Sequence, residues 1–398
     1  MIRILGADVC RSSIVCCVLD AMPIDPRKAY IETQFYEFQA DAIGLAAALE
    51  LKPDVAIMEP SGVNYQKLWG TKLAESGVEI RLVANTALPA YRTYLDLPDK
   101  DDQADALALA CYYFSFKDEP HRWLRIRDRN ITRIREICLR LAHLTRIKSP
   151  IINRLRQDLA WQFPEIANRD ARRYNTSAPL MLRWIAGRSP SDKYDRLYAT
   201  TIGSGLNDSS RFAASQLCDL FVHESQLEAE LTELTRSPEF NPYWPIFDRF
   251  GFGLRTGSIL LSEIYPFEDY LGADGNPIVV IRKGKHSGKP TRRYMSLRRF
   301  KKALGVAPVR KWSGRQVSTT HKSGSALCRK ALWRWVFCRI EVARARPENE
   351  IGRELGRRRD EYKAAKMPSQ KLRSKISAKA VEMLFYEFCE AWRQSGEN

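Results

Sequence analysis

Asp8, Glu59, Asp102 and Asp105 are the residues of this chain whose types and places could do chemistry. Asp8 sits just inside the end of the first apolar run, Ile2 to Val9. Glu59 directly follows the run Val55 to Met58, and Asp102 and Asp105 open a helical stretch that reaches Tyr113. A separation of three residues puts the last two on one helix face. Four carboxylates drawn together repel one another unless cations neutralise them, and a set of oxygen ligands suits Mg2+ or Mn2+. Two such ions can activate a nucleophile and stabilise the leaving oxygen of a phosphodiester. Taken singly, each acid is weak evidence: an Asp near a strand end is commonly a turn residue, and DDQAD also reads as a capped helix start whose acids offset the helix dipole.

The elements that would position these acids are legible in the apolar periodicity. Ile2 to Val9, Ser13 to Leu19 and Tyr30 to Phe38 are apolar or β-branched runs broken by polar turns, which suits a three-stranded antiparallel start. A helix capped by Asp41, the strand Val55 to Met58, a helix over Tyr65 to Glu75, the strand Val78 to Ala84 and the helix from Asp102 follow. This order matches an α/β domain of the ribonuclease H type over residues 1–120, and strand ends in such a sheet form a natural crevice for a site. Residues 121–245 read as a helical linker region. Ile134, Ile137, Leu141, Leu144, Ile147 and Ile151 mark a long helix or coiled-coil arm with a basic outer face, and Ala178 to Ile185 and Ala213 to Leu234 are further helical pieces. Residues 246–398 read as a mostly helical domain with a basic β-hairpin over Ile278 to Tyr294 and helices near Arg329 to Ala345 and Ala378 to Trp392.

Charge divides the chain. Of the net +17 over 398 residues, residues 1–120 carry 11 Lys and Arg against 18 Asp and Glu, a net of −7, which leaves +24 for the remainder. Between Asp274 and Glu341 there is no carboxylate in 66 residues and there are 18 Lys and Arg, among them Arg292, Arg293, Arg298, Arg299, Lys301, Lys302, Arg310, Lys311, Arg315 and Lys322. A tract this one-sided repels itself unless a polyanion neutralises it, and each phosphate contact releases condensed counterions. The expectation is a nucleic-acid surface rather than a merely solubilising one. Aromatic residues within it, Tyr294, Phe300, Trp312, Trp333 and Trp335, could stack on unpaired bases, although for Trp333 and Trp335 the core is the first expectation. The turn Gly251 to Gly253 could offer backbone amides to a phosphate or could cap a helix. Nine scattered cysteines without a CxxC pair point to a reducing cytoplasm, and five dispersed histidines give no zinc spacing. No run reaches the roughly 18 apolar residues of a membrane helix.

The segments GADVCRSSIVCCVLD, IMEPSGVNYQKLW, VANTALPAYR and KDDQADALALA together resemble the N-terminal domain of the DEDD-type insertion-sequence transposases, which are bridge-RNA-guided recombinases. RIKSPIINRLRQDLAWQFPE, FGFGLRTGSILLSEI and SLRRFKKALGVAPVRKWSGRQ extend the resemblance through the arm into the C-terminal region. In the family element Lys-x-Asp-x-x-Asp-Ala, here Lys100, Asp102, Asp105 and Ala106, the second position is commonly Thr. It is Asp101 here, so Asp101 and Asp102 compete for one ligand role.

The resemblance implies a RuvC-like N-terminal domain holding Mg2+ or Mn2+ on Asp8, Glu59, Asp102 and Asp105, and a serine in the C-terminal transposase domain that attacks DNA. Ser-Gly occurs seven times, and the one that follows LGVAP within the basic tract contains Ser313. The implied partners are donor and target DNA, a structured noncoding guide RNA, and further copies of the chain as a homodimer assembling to a tetramer. Two other functions fit the same residues. One is a metal-dependent, structure-selective nuclease of the Holliday-junction-resolvase kind, with Ser313 a bystander. The other is a non-catalytic RNA-binding protein derived from a transposase.

Overall fold

A computed structural model of the chain describes residues 2–61, 64–97, 100–124, 126–168, 178–284, 288–313, 316–320 and 323–396, with residues 309–313, 316–320 and 395–396 described by their backbone alone. The chain divides into two compact units, Met1–Arg127 and Asp128–Asn398.

The first unit is a six-stranded mixed sheet with helices on both faces. Strands β1 (Ile4–Val9), β2 (Ser13–Leu19), β3 (Phe35–Gln39), β4 (Val55–Met58), β5 (Glu79–Val83) and β6 (Trp123–Leu124) lie in the order β3-β2-β1-β4-β5-β6. β2 is antiparallel to both β1 and β3, β4 and β5 run parallel to β1, and β6 is antiparallel to β5. Helices α1 (Pro26–Glu32), α2 (Ala42–Glu50), α3 (Tyr65–Glu75), α4 (Leu88–Tyr94) and α5 (Asp102–Phe116) fill the connections.

Strand side chains alternate between faces, and β1 shows the consequence. Leu5, Ala7 and Val9 join the core that contains Trp69 and Leu73 of α3. Ile4 joins the opposite core, which contains the buried run Ala104 to Tyr113 of α5. Gly6 and Asp8, two and four residues on from Ile4, share its face. A Cβ at Gly6 would lie 2.0 Å from the Ala106 carbonyl oxygen, so the bare backbone there is what allows α5 to lie against β1.

One element differs from the sequence expectation in kind. Tyr30 to Phe38 is not a continuous strand, because residues 26–32 form α1 and β3 begins only at Phe35. The local signals explain this. The Asp25 carboxylate caps the helix by accepting from the Arg27 and Lys28 amides at 3.0 Å, and Pro26 occupies the first turn, where its missing N–H costs nothing.

Among the described residues, the regular structure of the second unit is helical apart from two hairpins. Helices α6 (Arg129–Gln162), α7 (Pro164–Ala167), α8 (Leu180–Ile185), α9 (Asp192–Ala199), α10 (Asp208–Thr235), α11 (Trp244–Arg249) and α12 (Leu254–Ile264) lead to the hairpin β7 (Val279–Lys283) and β8 (Pro290–Tyr294). Helix α13 (Met295–Ala303), the hairpin β9 (Val309–Ser313) and β10 (Gln316–Thr320), and helices α14 (Ala326–Trp335), α15 (Glu350–Ala364) and α16 (Ser369–Gly396) complete it.

The expected arm is α6, and it pairs antiparallel with α10. Arg133 meets Glu230, Lys148 meets Glu224, and the Asn207 amide donates to the Gln162 side chain. The stripe Ile131, Ile134, Ile137, Leu141 and Leu144 enters a large core shared with α12, α14 and α16, while Leu155 and Leu159 enter a second core with α8 and the first half of α10. Between the two cores a buried charge cluster crosses the helices. Glu224 takes both Lys148 and Arg255, the latter at 2.8 Å. Such a cluster fixes register more than it adds stability, since each charge is costly to bury and each needs its partner. No helix among the described residues is long and apolar enough to cross a membrane.

Candidate functional site

The β1–β4 register pairs Ala7 with Met58, so Asp8 and Glu59 are level at the C-terminal ends of two parallel neighbours. Helix α5 brings the other two acids to the same edge. The Asp8 carboxyl, half-buried, is pushed up to about 7, first by burial and then by the charges of Asp102, Asp105 and Glu59 in that order. Glu59 is raised as well, by burial and by Asp105, against the opposing pull of Lys100 and Arg92. The four acids read from the sequence therefore share one electrostatic neighbourhood.

They are not equivalent within it. Ligand atoms of Asp8, Cys10 and Asp102 lie within 4.8 Å of one another, and the Cys10 thiol reaches the Asp102 carboxylate at 3.7 Å. Buried Asp105 is instead held by the guanidinium of Arg92 from α4. Asp101 is spent on structure: its carboxylate caps α5 through the Ala104 amide at 2.6 Å and accepts from the Tyr30 hydroxyl at 2.7 Å. That leaves Asp102 as the one of the two that faces Asp8. Near Glu59, the Ser61 hydroxyl is buried with no partner among the described residues.

Arg92 and Cys10 are not among the candidate residues of the sequence, and Lys100 enters there only as part of the family element. Arg92 lies inside VANTALPAYR, yet its partnership with Asp105 depends on where α4 packs. Nothing in its spacing announces it.

This donor set fits a divalent cation. Its groups are mostly hard carboxylate oxygens, and the repulsion that adds to burial in raising Asp8 is what a cation would relieve. Separating Asp101 from Asp102 is a direct test. Asp101→Asn keeps a good N-cap and is expected to leave Mn2+ affinity and DNA cleavage within about threefold. Asp102→Asn is expected to weaken Mn2+ binding, measured by calorimetry, by about a hundredfold or more, since even outer groups of metal sites are worth about 10–100-fold. Equal losses in the two variants would reject the assignment.

In the second unit the basic residues spread over several elements. Arg292 and Arg293 lie exposed on β8, and Arg298, Arg299 and Lys302 lie exposed on α13. Lys301 is engaged with Glu382 at 2.7 Å, and Arg299 donates to the Asp269 carbonyl. The backbone of Arg310, Lys311 and Ser313 forms β9, with Ser313 opposite Gln316 in register. Arg315 and Lys322 lie outside the described residues. In the turn after α11, Gly251 adopts a positive φ of 64°, and the Gly251 and Phe252 amides bond back to Asp248 and Phe247. Two amides of that turn are thus used to end a helix. Gly253 is the N-cap of α12 and brings no side chain to the cap. Trp335 is buried, as expected, with its indole N–H on the Phe250 carbonyl, but Trp333 is exposed.

Residues 286–350, which span most of the acid-free tract and Ser313, match the model of the transposase IS116/IS110/IS902 family. The match supports an insertion-sequence transposase. It covers β8, α13, β9, β10 and α14, so it falls in the basic unit and outside the acidic one. No curated protein matches the chain.

Proposed function

We propose that this chain is an RNA-guided DNA transposase that exchanges strands by metal-assisted attack of Ser313 on a DNA phosphodiester. The observation that carries the reading is the convergence of Asp8, Glu59, Asp102 and Asp105 in a chain whose basic tract carries the transposase match. The strand order and the level placement of Asp8 and Glu59 are those a RuvC-like domain would have. A divalent cation held by the acids would supply Lewis-acid activation and neutralise charge on the leaving oxygen.

The chain's own residues do the rest. The Ser313 hydroxyl gives its proton to solvent and its Oγ bonds to phosphorus. The bond from phosphorus to one strand end breaks, and that end's oxygen takes up a proton. A strand hydroxyl of the second DNA then attacks the phosphoserine, forms the new phosphodiester and releases Ser313. The energy of the broken linkage is retained, so no nucleotide hydrolysis is needed. Cations of the tract between Asp274 and Glu341 that have no protein partner hold phosphates without reading sequence, which leaves target choice to pairing with a structured noncoding RNA.

Trapping tests this. With the DNA of the element's ends, the flanking noncoding RNA and Mg2+, denaturation is expected to leave a covalent protein–DNA adduct in the native chain and none in Ser313→Ala. Cleavage that survives Ser313→Ala would overturn the reading in favour of a nuclease that needs the carboxylates alone. Absence of DNA breakage in the native chain would favour a non-catalytic RNA-binding protein.

A further inference from the structure

Trp333 and Phe337 sit one helical turn apart on the outer face of α14 and the wider turn that continues it, Val336–Ile340. The same helix buries Cys328, Leu332, Trp335, Val336 and Ile340, so its core face is already complete. The two rings are nonetheless 41% and 49% exposed, and they stack with centroids 6.2 Å apart and planes 19° from parallel. Arg373 of α16 lays its guanidinium over both, 4.3 Å from one centroid and 4.7 Å from the other. It is locked there by a two-pronged pair with Glu341 at 2.5 and 3.0 Å. The rings are therefore held in a fixed pose at solvent. They line an open groove of about 610 Å3 whose other walls are Arg329, Lys330, Arg334 and Cys338.

The charges around the groove narrow what covers it. Arg329 is fixed by donating to the Gly305 and Ser323 carbonyls, at 3.0 and 3.3 Å. Lys330 and Arg334 are exposed and pair with no carboxylate among the described residues. A second copy of this surface would set like charges face to face at a cost of its own. A flat π-face flanked by free cations is instead complementary to a nucleobase flanked by phosphates. Duplex DNA keeps its bases inside the stack, whereas folded RNA splays bases out of loops and bulges.

We propose that the groove between Trp333, Phe337 and Arg334 binds an unpaired RNA base, which stacks on the aromatic pair while Lys330 and Arg334 take the neighbouring phosphates. This site does not depend on Ser313 or the acidic cluster, so its test can fail while strand transfer stands, and the reverse.

Anisotropy of a labelled oligouridylate of about twelve residues, binding to the full chain, is the first measurement. Trp333→Ala is expected to weaken single-stranded RNA binding about tenfold and to leave a duplex DNA of equal length unchanged, while Trp333→Phe retains most of the affinity. Lys330→Ala with Arg334→Ala is expected to weaken single-stranded RNA binding and flatten its salt dependence by about two phosphate contacts. Among the described residues Cys338 is the exposed cysteine, which allows a readout without a variant. Bound oligouridylate is expected to slow its alkylation by a maleimide, and the DNA duplex is not. Three results would overturn the proposal: equal losses for RNA and duplex in Trp333→Ala, no protection of Cys338, or dissociation of an oligomer by Trp333→Ala. An oligodeoxythymidylate of the same length that binds as tightly, and responds equally to Trp333→Ala, would overturn the assignment to RNA.

Discussion

Asp8→Asn is expected to abolish strand cleavage while making the metal-free protein harder to unfold at pH 8. The activity loss follows from removing a group of the acidic cluster itself, so it should exceed the about 10–100-fold typical of outer groups of metal sites. The stability gain follows from electrostatics. The Asp8 carboxyl titrates at about 7 in the fold, against about 4 in an unfolded chain. A folded value above the unfolded one means the group's contribution is fully present below about pH 4 and is lost as pH rises through about 7. At pH 8 without metal, the native chain carries a carboxylate that its partial burial, first, and its three acidic neighbours oppose. The full shift would correspond to about 4 kcal/mol, and solvent screening at this half-open site cuts that to roughly 1–3 kcal/mol. Asp8→Asn removes the charge and is expected to raise the midpoint of thermal unfolding by roughly 5 °C at pH 8 in a chelator, with little difference at pH 4. Millimolar Mn2+ should reverse the order, because it stabilises only a chain whose ligands can hold it. A native chain that is more stable than Asp8→Asn at pH 8 without metal would mean that the four acids do not repel as described.

The parts of this site that were readable in advance are those that rest on local pattern. The apolar runs of β1, β2, β4 and β5, and the cap that starts α5, place Asp8, Glu59 and Asp102 at element ends without any knowledge of packing. What was not readable depends on tertiary approach or on one local signal outweighing another. The aromatic and apolar residues Tyr30 to Phe38 suggested a strand, but Asp25 and Pro26 start a helix that carries Tyr30 to the Asp101 carboxylate. The engagement of Asp101 by that hydroxyl and by the Ala104 amide, which leaves Asp102 facing Asp8, depends on this approach. Arg92 reaches Asp105 because α4 packs beside α5, a relation with no fixed spacing. The hairpin β9–β10 was not expected, since VRKWS sets two basic residues side by side and shows no strand alternation in so basic a tract. For Trp333 and Trp335 the expectation of a core place holds for Trp335 alone. Residues two apart on a helix do not share a face, and α14 presents one face to the core, so Trp333 is left outside it. The exposed one faces the groove rather than the core.

Gly6→Ala is the substitution expected to damage the first unit most, though it adds a single methyl group. Its Cβ would lie 2.0 Å from the Ala106 carbonyl oxygen, 2.6 Å from the Ala110 nitrogen and 2.8 Å from the Ala110 Cβ. The first two are backbone atoms of α5, so no side chain can turn aside, and either the helix or the strand must retreat. Overpacking of a close-packed core commonly costs about 1–3 kcal/mol, and a clash with backbone belongs at or above the top of that range. Against a domain stability of roughly 5–15 kcal/mol, such a loss leaves a measurable folded population with a lowered urea midpoint. The functional loss should exceed the stability loss. Gly6 and Asp8 share one face of β1, and a retreating α5 carries Asp102 and Asp105 away from Asp8. Mn2+ affinity is therefore expected to fall in Gly6→Ala even under conditions where it remains folded. Adding Ala110→Gly removes the Cβ contact but leaves the carbonyl and the amide where they are, so the double variant is expected to recover little of either. Full recovery by Ala110→Gly would show that the helix rests on the strand through side chains, and that the closeness of α5 is not what brings the acids together.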